Sequence, residues 1–395
     1  MCAILQKAAQ ESGLKTKFYF EDKGEAARVA GSFVPCGKLL LLADEETADE
    51  TLALKETFTD FRVYFAVQGK QESANGLFSL PDDVRAAVAV GGRSIAAARF
   101  FCTLRGACLV AIPARCSAAE IFCPRSESGY PVNEPDAVLF DEGFARGRAE
   151  GAAVAALSAL YAEDIDIDGV FSGARKDAGY EMLRLSASLA VQVGAKVGRA
   201  PKESGRRRAG SGERLFESLC LQEIALMACP RLPSRAFYHL LSGKGAPLGE
   251  CAFAALHYAQ ARYAALFENG RPRRYFVPDY AARARRAAEY VGEEAFANIK
   301  VPSAEECFAA AEIFEESRLH FAAAAEALGA YAEKIRRVYY AEGGKKPLFA
   351  SGALEEAFSL AADLSPMLSV GALERDLGAV HMRGGAYGAK SGAKF

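Results

Sequence analysis

The chain has 395 residues, 51% of them hydrophobic and 25% charged, with a formal net charge of −2. This length allows two domains with separate cores. The near-neutral charge gives no electrostatic reason to expect a nucleic acid or an anionic membrane as a partner. The first residues lack the basic and apolar regions of a secretory signal, and no apolar run approaches the ~20 residues that cross a bilayer. We therefore expect a cytoplasmic protein whose partner is a small molecule.

Short apolar runs alternate with helical patterns up to about residue 145. Four of these runs are typical of strands, and in chain order they are GKLLLLADEET, FRVYFAVQG, VRAAVAVGG and ACLVAIPA. Continuous Val, Leu, Ile and Ala runs between helices favour a parallel sheet that is covered on both faces. From about Phe144, long Ala-, Leu- and Glu-rich segments have the i, i+3, i+4 apolar spacing of helices. We predict a Rossmann-like α/β domain over 1–145 and an all-helical domain over 146–395, with a cleft between them.

Four of the ten cysteines, Cys102, Cys108, Cys116 and Cys123, follow one another at intervals of six, eight and seven positions. Structural zinc sites use pairs of cysteines that are two to four residues apart. We expect buried thiols rather than a metal site.

Asp44 stands at the end of the first clear strand. Open parallel sheets bind ligands beyond the carboxyl ends of their strands, where an acid accepts hydrogen bonds from the ribose hydroxyls of a dinucleotide. An equally simple interpretation is that Asp44 or Thr47 caps the helix after this strand. The residues alone leave both interpretations open.

The stretch VAVGGRSIAAARFF joins a strand directly to a helix through Gly91 and Gly92. Glycines here let backbone N–H groups approach a pyrophosphate at the positive end of the helix, although tight turns also use glycine for steric reasons. Arg93 and Ser94 are compatible with phosphate as a cation and a hydroxyl donor, but Arg93 also fills space that a third glycine would leave open. In LVAIPARCS, Pro113 stops a strand and shapes a loop that carries Ser117 to the same edge.

Taken together, four stretches resemble the iron-containing alcohol dehydrogenase and glycerol dehydrogenase superfamily, which has the dehydroquinate synthase-like fold. The glycerol-1-phosphate dehydrogenase branch is the most similar, and dehydroquinate synthase is more distant. The family pattern D-x-x-T, GGGSxxDxxK, PTxxSxxxE/D and P-x5-D corresponds here to Asp44–Thr47, Gly91–Arg99, Pro113–Ala119 or Glu120, and Pro135–Asp141. The resemblance covers nearly the whole chain.

The resemblance implies a specific chemistry. Members bind NAD or NADP between their domains and hold one divalent metal, such as zinc or iron, on the helical side. The metal polarises the substrate oxygen during hydride transfer. The ligands are an Asp in a G-x-x-D helix start and two histidines, and members are commonly homo-oligomers.

This chain departs from the family at those ligands. Val154 occupies the position of the aspartate, His239 matches the first histidine, and Leu248 occupies the position of the second. One imidazole beside two aliphatic side chains is too few ligands for zinc or iron. Substitute ligands would have to come from other acids or His257; the candidate acids are Glu150, Glu163, Asp164, Asp166 and Glu250.

The cofactor loop departs as well, because Arg93 replaces its third glycine, Ala97 its acid, Arg99 its lysine, and Ala114 the threonine after Pro113. Three hypotheses follow. The chain is an NAD(P)- and metal-dependent polyol or glycerol-phosphate dehydrogenase, or a non-catalytic member that binds a nucleotide or phosphorylated ligand in the cleft, or a dehydroquinate synthase-like lyase. Among these, the loss of metal ligands favours the second hypothesis over turnover by the first.

Overall fold

The chain folds into two compact units. The first comprises Met1–Gly151 and Ala195–Ala228, and the second Ala152–Gly194 and Cys229–Phe395. The computed structural model describes residues 3–69, 74–115, 118–122, 125, 130–141, 146–173, 176–197, 211–229, 232–269, 285–289, 304–365, 367 and 369–376. The predicted ranges 1–145 and 146–395 divide the chain at a single point. The compact units instead alternate along the chain, because Ala195–Ala228 returns to the first unit.

The first unit contains a six-stranded sheet in which every pairing is parallel, which confirms the predicted α/β architecture. The strands are β1 (Lys17–Phe20), β2 (Gly37–Asp44), β3 (Phe61–Gln68), β4 (Val84–Val90), β5 (Cys108–Ile112) and β6 (Ala137–Phe140). Their order across the sheet is β1-β6-β5-β4-β2-β3. The four predicted strands correspond to β2, β3, β4 and β5, while β1 and β6 were not predicted.

The central strands are apolar along their whole length because helices cover both faces of the sheet. Side chains 39–42 of β2 are all buried, so the alternation of a half-exposed strand is absent there. On one face, Leu39 and Leu41 pack with Val88, Val90 and residues of the following strands in a single core. The edge strand β3 is only partly buried.

Six helices belong wholly or mainly to the first unit: α1 (Ala3–Glu11), α2 (Ala26–Gly31), α3 (Ala48–Leu54), α4 (Arg93–Arg105), α5 (Ala119–Phe122) and α8 (Ser211–Ala228). Helix α8 joins this unit although it is distant in sequence from the strands. Its Phe216 ring stacks on Phe140 of β6 at a centroid distance of 4.4 Å and meets Phe20 of β1 edge to face. Aromatic packing therefore fixes α8 against the two short strands.

In the described residues of the second unit, the regular secondary structure is all helical. Its main helices are α6 (Arg148–Ser172), α7 (Ala178–Val197), α9 (Pro233–Ser242), α10 (Leu248–Asn269), α11 (Ala304–Ala341), α12 (Ser351–Leu364) and α13 (Val370–Asp376). Stacked rings of Phe267, Phe314 and Phe321 join α10 to α11. Within the described residues, no helix combines the length and the apolar character that a membrane span requires.

Candidate functional site at the carboxyl edge of the sheet

The strand order places a topological switch point between β2 and β4. From β2 the chain continues to β3 on one side, and then returns past β2 to β4, β5 and β6 on the other. Ligands of open α/β sheets bind outside the carboxyl ends of the strands at such a point. The last paired residues are Ala43 of β2 and Val90 of β4, so Asp44 and Gly91 follow them at the same edge.

The Asp44 carboxylate lies at the N-terminus of α4. Its Oδ2 accepts a hydrogen bond from the backbone N–H of Gly92 at 2.8 Å, and its Oδ1 accepts one from the N–H of Ser94 at 2.7 Å. These donors belong to the first turn of α4, which has no partners for them within the helix. The negative charge also lies at the positive end of the helix dipole. Asp44 is therefore held rigidly while its side chain remains partly accessible.

Gly91 makes this contact possible. Its φ of +132° lies in a region that L side chains rarely adopt, and a Cβ on Gly91 would overlap the Asp44 carboxylate. Its N–H donates to the carbonyl of Ile112 in β5 at 3.0 Å. The absence of a Cβ at Gly91 therefore allows the Asp44 side chain to approach, in addition to allowing a tight turn.

Two hydroxyl groups hold the strand ends together behind Asp44. The Thr47 Oγ1 lies 3.1 Å from the carbonyl oxygens of both Asp44 and Val90. The Ser94 hydroxyl donates to the Val90 carbonyl at 2.8 Å and is completely buried. Both hydroxyl protons are directed to backbone carbonyls, so the phosphate-donor role of Ser94 stays a prediction.

The interpretation that Asp44 caps a helix was correct, but the helix that it caps is not the predicted one. Neither Asp44 nor Thr47 makes a side-chain cap for the turn and helix that follow β2. Asp44 instead caps α4, which follows β4. The signal for this partner was the pair of glycines, since the Gly91 backbone leaves room for an approaching carboxylate.

Arg93 is exposed at this edge and makes no hydrogen bond or ion pair to another described residue. Arg99, six residues along α4, is buried instead, and its Nε donates to the carbonyl of Asn133 at 2.9 Å. Ala97 is buried too. Of Arg93, Ala97 and Arg99, Arg93 is therefore the residue that remains available to bind an anion.

Two further arginines near this edge pair with acids. Arg115, beyond β5, donates from Nη2 to both Glu46 oxygens at 2.7 and 3.0 Å, and Arg146 bonds Glu50 at 3.2 Å. Pro113 is buried before this loop. Ser117 lies outside the described residues, so its predicted position stays a prediction.

The residues at the expected metal positions lie on three helices of the second unit. Val154 is half-buried on α6, His239 is exposed in the last turn of α9, and Leu248 is 45% exposed at the start of α10. In the described part of the chain, no three or more His, Cys, Asp or Glu side chains are placed to hold a metal ion.

The substitute ligands are engaged elsewhere or isolated. Glu163 pairs with Arg184 at 3.2 Å, and Asp166 contacts Lys176 and His320. His257 packs against Phe253, and burial lowers its pKa to about 4. Among the cysteines, burial raises the pKa of Cys102 and Cys108, which keeps both as thiols rather than thiolate ligands; Cys116 and Cys123 lie outside the described residues.

Comparisons of the sequence found no matching family model and no matching curated protein. Comparison of the structure did find relatives. An iron-containing alcohol dehydrogenase from Corynebacterium glutamicum matches with a TM-score of 0.53 at 14% identity, over 92% of this chain and 93% of that one. The sulfoacetaldehyde reductase from Bifidobacterium kashiwanohense, solved in complex with NAD+, matches with a TM-score of 0.51 at 12% identity, over 87% and 90%.

The chain has the fold of the iron-containing alcohol dehydrogenases. The resemblance drawn from the four sequence stretches is therefore confirmed at the level of the fold. At this identity the fold itself carries no chemistry, because one fold hosts many functions.

Within this iron-type alcohol dehydrogenase fold, the residues predicted to bind the cofactor and those predicted to bind the metal, each taken within its own unit, differ. The carboxyl edge has an acid held by two backbone hydrogen bonds, Asp44, and an exposed arginine, Arg93. The residues at the metal positions do not suit a divalent ion, because two are aliphatic and no alternative cluster replaces them among the described residues.

Proposed function

We propose that the α/β unit binds a nucleotide of the NAD class at the carboxyl edge of its sheet and that the chain acts as a binding protein without metal-dependent hydride transfer. The observation that carries this proposal is the Asp44 carboxylate, which is fixed at the switch point by two backbone N–H groups. A site for a ribose is thus preformed.

Asp44 has the hydrogen-bonding capacity for this role. An ionised carboxylate offers about four lone-pair sites, and Gly92 and Ser94 use one on each oxygen. The remaining lone pairs can accept the 2′ and 3′ hydroxyl protons of a ribose. Because the same negative charge repels a 2′-phosphate, we expect NAD+ to bind more tightly than NADP+.

The phosphate contact differs from the usual one. In helix-terminus sites, backbone N–H groups donate to the pyrophosphate, but here those of Gly92 and Ser94 donate to Asp44. Arg93, adjacent to Gly92 and exposed, offers a guanidinium that binds phosphate through paired hydrogen bonds. We therefore assign the phosphate contact to Arg93, which provides a reason for an arginine where the family has glycine.

The chemistry of a bound cofactor would need more than this site. NAD supplies the hydride-accepting ring when bound, whereas polarisation of an alcohol oxygen in this fold is the task of a metal. Val154 and Leu248 cannot supply metal ligands, and His239 is exposed on its own helix. The second of the three sequence hypotheses, a non-catalytic nucleotide-binding member, therefore fits the described residues best.

Calorimetric titration of the protein with NAD+ and NADP+ in EDTA tests this proposal. We expect binding of both, with NAD+ tighter, and at least about 10-fold weaker NAD+ binding after Arg93→Ala, because a charge-assisted hydrogen bond contributes about 1.5–3 kcal/mol.

Arg85→Ala is the matched control, since Arg85 is also an exposed arginine but lies near the start of β4, at the opposite end of the strand. It should leave the affinity unchanged. Absence of NAD+ binding by the wild-type protein at millimolar concentration would overturn the proposal. If Arg93 obstructs the site instead, Arg93→Gly will tighten binding, which would overturn the assignment of the phosphate contact.

A further inference from the structure

A second site lies wholly within the helical unit, at a buried carboxylate that has no cationic partner. Asp164 of α6 is 1% exposed and accepts hydrogen bonds from the N–H and Oγ of Ser234 in α9, at 2.8 and 3.1 Å. Its neighbours Glu163 and Asp166 each form an ion pair. No basic side chain of the described residues pairs with Asp164, although a charge buried without compensation is costly.

A pocket adjoins this carboxylate. Among the described residues, its polar lining is formed by Asp164, Ser234, Tyr263 and Ser369. Tyr263 is 1% exposed, and its hydroxyl has no hydrogen-bond partner among the described residues. Buried hydroxyl groups almost always find a partner, so an orphaned hydroxyl beside a cavity indicates a missing occupant. The narrow interior accommodates roughly one water-sized guest.

The chemistry of the lining indicates which kind of ligand the pocket can bind. The polar side-chain atoms of its described lining are oxygens, from one carboxylate and three hydroxyls. Oxygen ligands of this kind suit hard cations, and the single carboxylate balances the charge of a monovalent ion. We propose that the pocket binds one monovalent cation, K+ or Na+, which neutralises Asp164 and accepts the lone pairs of Tyr263.

The protonation of Asp164 sets the pH range of the site. Burial, followed by the like charges of Glu163 and Asp168, raises the pKa of Asp164 to about 7, although the Ser234 hydrogen bonds act in the opposite direction. Below this pKa a proton neutralises the group and competes with the cation. Above it the carboxylate is charged, so cation binding stabilises the fold most at alkaline pH.

The test is the melting temperature of the full chain at pH 8 in KCl, NaCl or N-methyl-D-glucamine chloride at equal ionic strength. We expect K+ or Na+ to raise the melting temperature by about 2–4 °C over the large organic cation, as binding to the native state alone requires. At pH 5.5 the difference should shrink. Equal melting temperatures of the wild-type protein in all three salts at pH 8 would overturn the proposal.

Two variants locate the effect. Asp164→Asn should abolish the dependence on the cation, and Tyr263→Phe should reduce it. Glu326→Gln is the control, because Glu326 is an exposed acid of α11 in the same unit and its loss changes the net charge equally. A cation effect on the melting temperature that survives Asp164→Asn would contradict the proposed site. If that variant fails to fold, Tyr263→Phe and the comparison of salts with the wild-type protein still test the proposal.

Discussion

Replacing Gly91 by alanine is expected to lower the free energy of unfolding by about 2–4 kcal/mol. Two costs combine at this position. An L residue at a φ of +132° is strained, and the new Cβ would overlap the Asp44 carboxylate. Asp44 would have to leave the N–H groups of Gly92 and Ser94, so the first turn of α4 would lose both of these side-chain hydrogen bonds. Guanidinium chloride denaturation of the two proteins measures the loss.

The control is Gly106→Ala at the other end of the same helix. Gly106 also has a positive φ, +62°, but a Cβ there meets nothing within 4 Å. Its substitution should cost only the left-handed conformation, about 1–2 kcal/mol. A similar loss for both variants would contradict the view that Gly91 is required for the approach of Asp44.

The second large effect is expected in the helical unit, at the ion pair between Arg262 of α10 and Glu374 of α13. The Arg262 Nε lies 2.9 and 3.0 Å from the two Glu374 oxygens, and the side chains are only 11% and 7% exposed. Arg262→Ala should reduce the free energy of unfolding by about 3–5 kcal/mol, because it leaves a buried carboxylate uncompensated. Chemical denaturation at pH 7 is the measurement.

Two comparisons show whether burial is the cause. Arg336→Ala breaks an exposed pair with Glu333 on α11 and should change stability by less than about 1 kcal/mol. Replacing Arg262 and Glu374 together by methionine should cost less than Arg262→Ala, since no charge remains unpaired. If the double variant is the less stable of the two, the penalty does not come from the isolated carboxylate.

The strands that could be predicted are those with long apolar runs. Residues 39–42 of β2 and most of β4 are buried on both faces, so composition alone marks them. The strands β1 and β6 have only four residues each, and so short a run carries little periodic signal. Their position depends on pairing with each other and, through aromatic rings, on the distant helix α8.

The candidate site shows the same limit at the level of side chains. Asp44 was identified from its place at a strand end, but its partners lie 48 and 50 residues away. No local pattern specifies which of two helices it caps. The partner of Asp164 could not be predicted either. Asp164 is one of several acids close together in the sequence, and its partner Ser234 is 70 residues away.

That the expected metal positions lack donor side chains, by contrast, is visible in the sequence because it concerns residue type. The side chains of valine and leucine have no donor atom wherever they lie, so Val154 and Leu248 cannot be metal ligands. What the sequence leaves open is whether nearby acids replace them. Glu163 and Asp166 form ion pairs instead, a result that depends on which cations the helices α7 and α11 bring close.

The account depends most on the double role of Asp44 as the cap of α4 and the acceptor of ribose hydroxyls. Calorimetric titration of Asp44→Ala with NAD+ and, separately, with inorganic pyrophosphate tests it most directly, with Asp49→Ala on the exposed face of α3 as the control. We predict at least about 10-fold weaker NAD+ binding and tighter pyrophosphate binding, because the N–H groups of Gly92 and Ser94 are released. Unchanged affinities for both ligands, with NAD+ still bound as by the wild-type protein, would contradict the account.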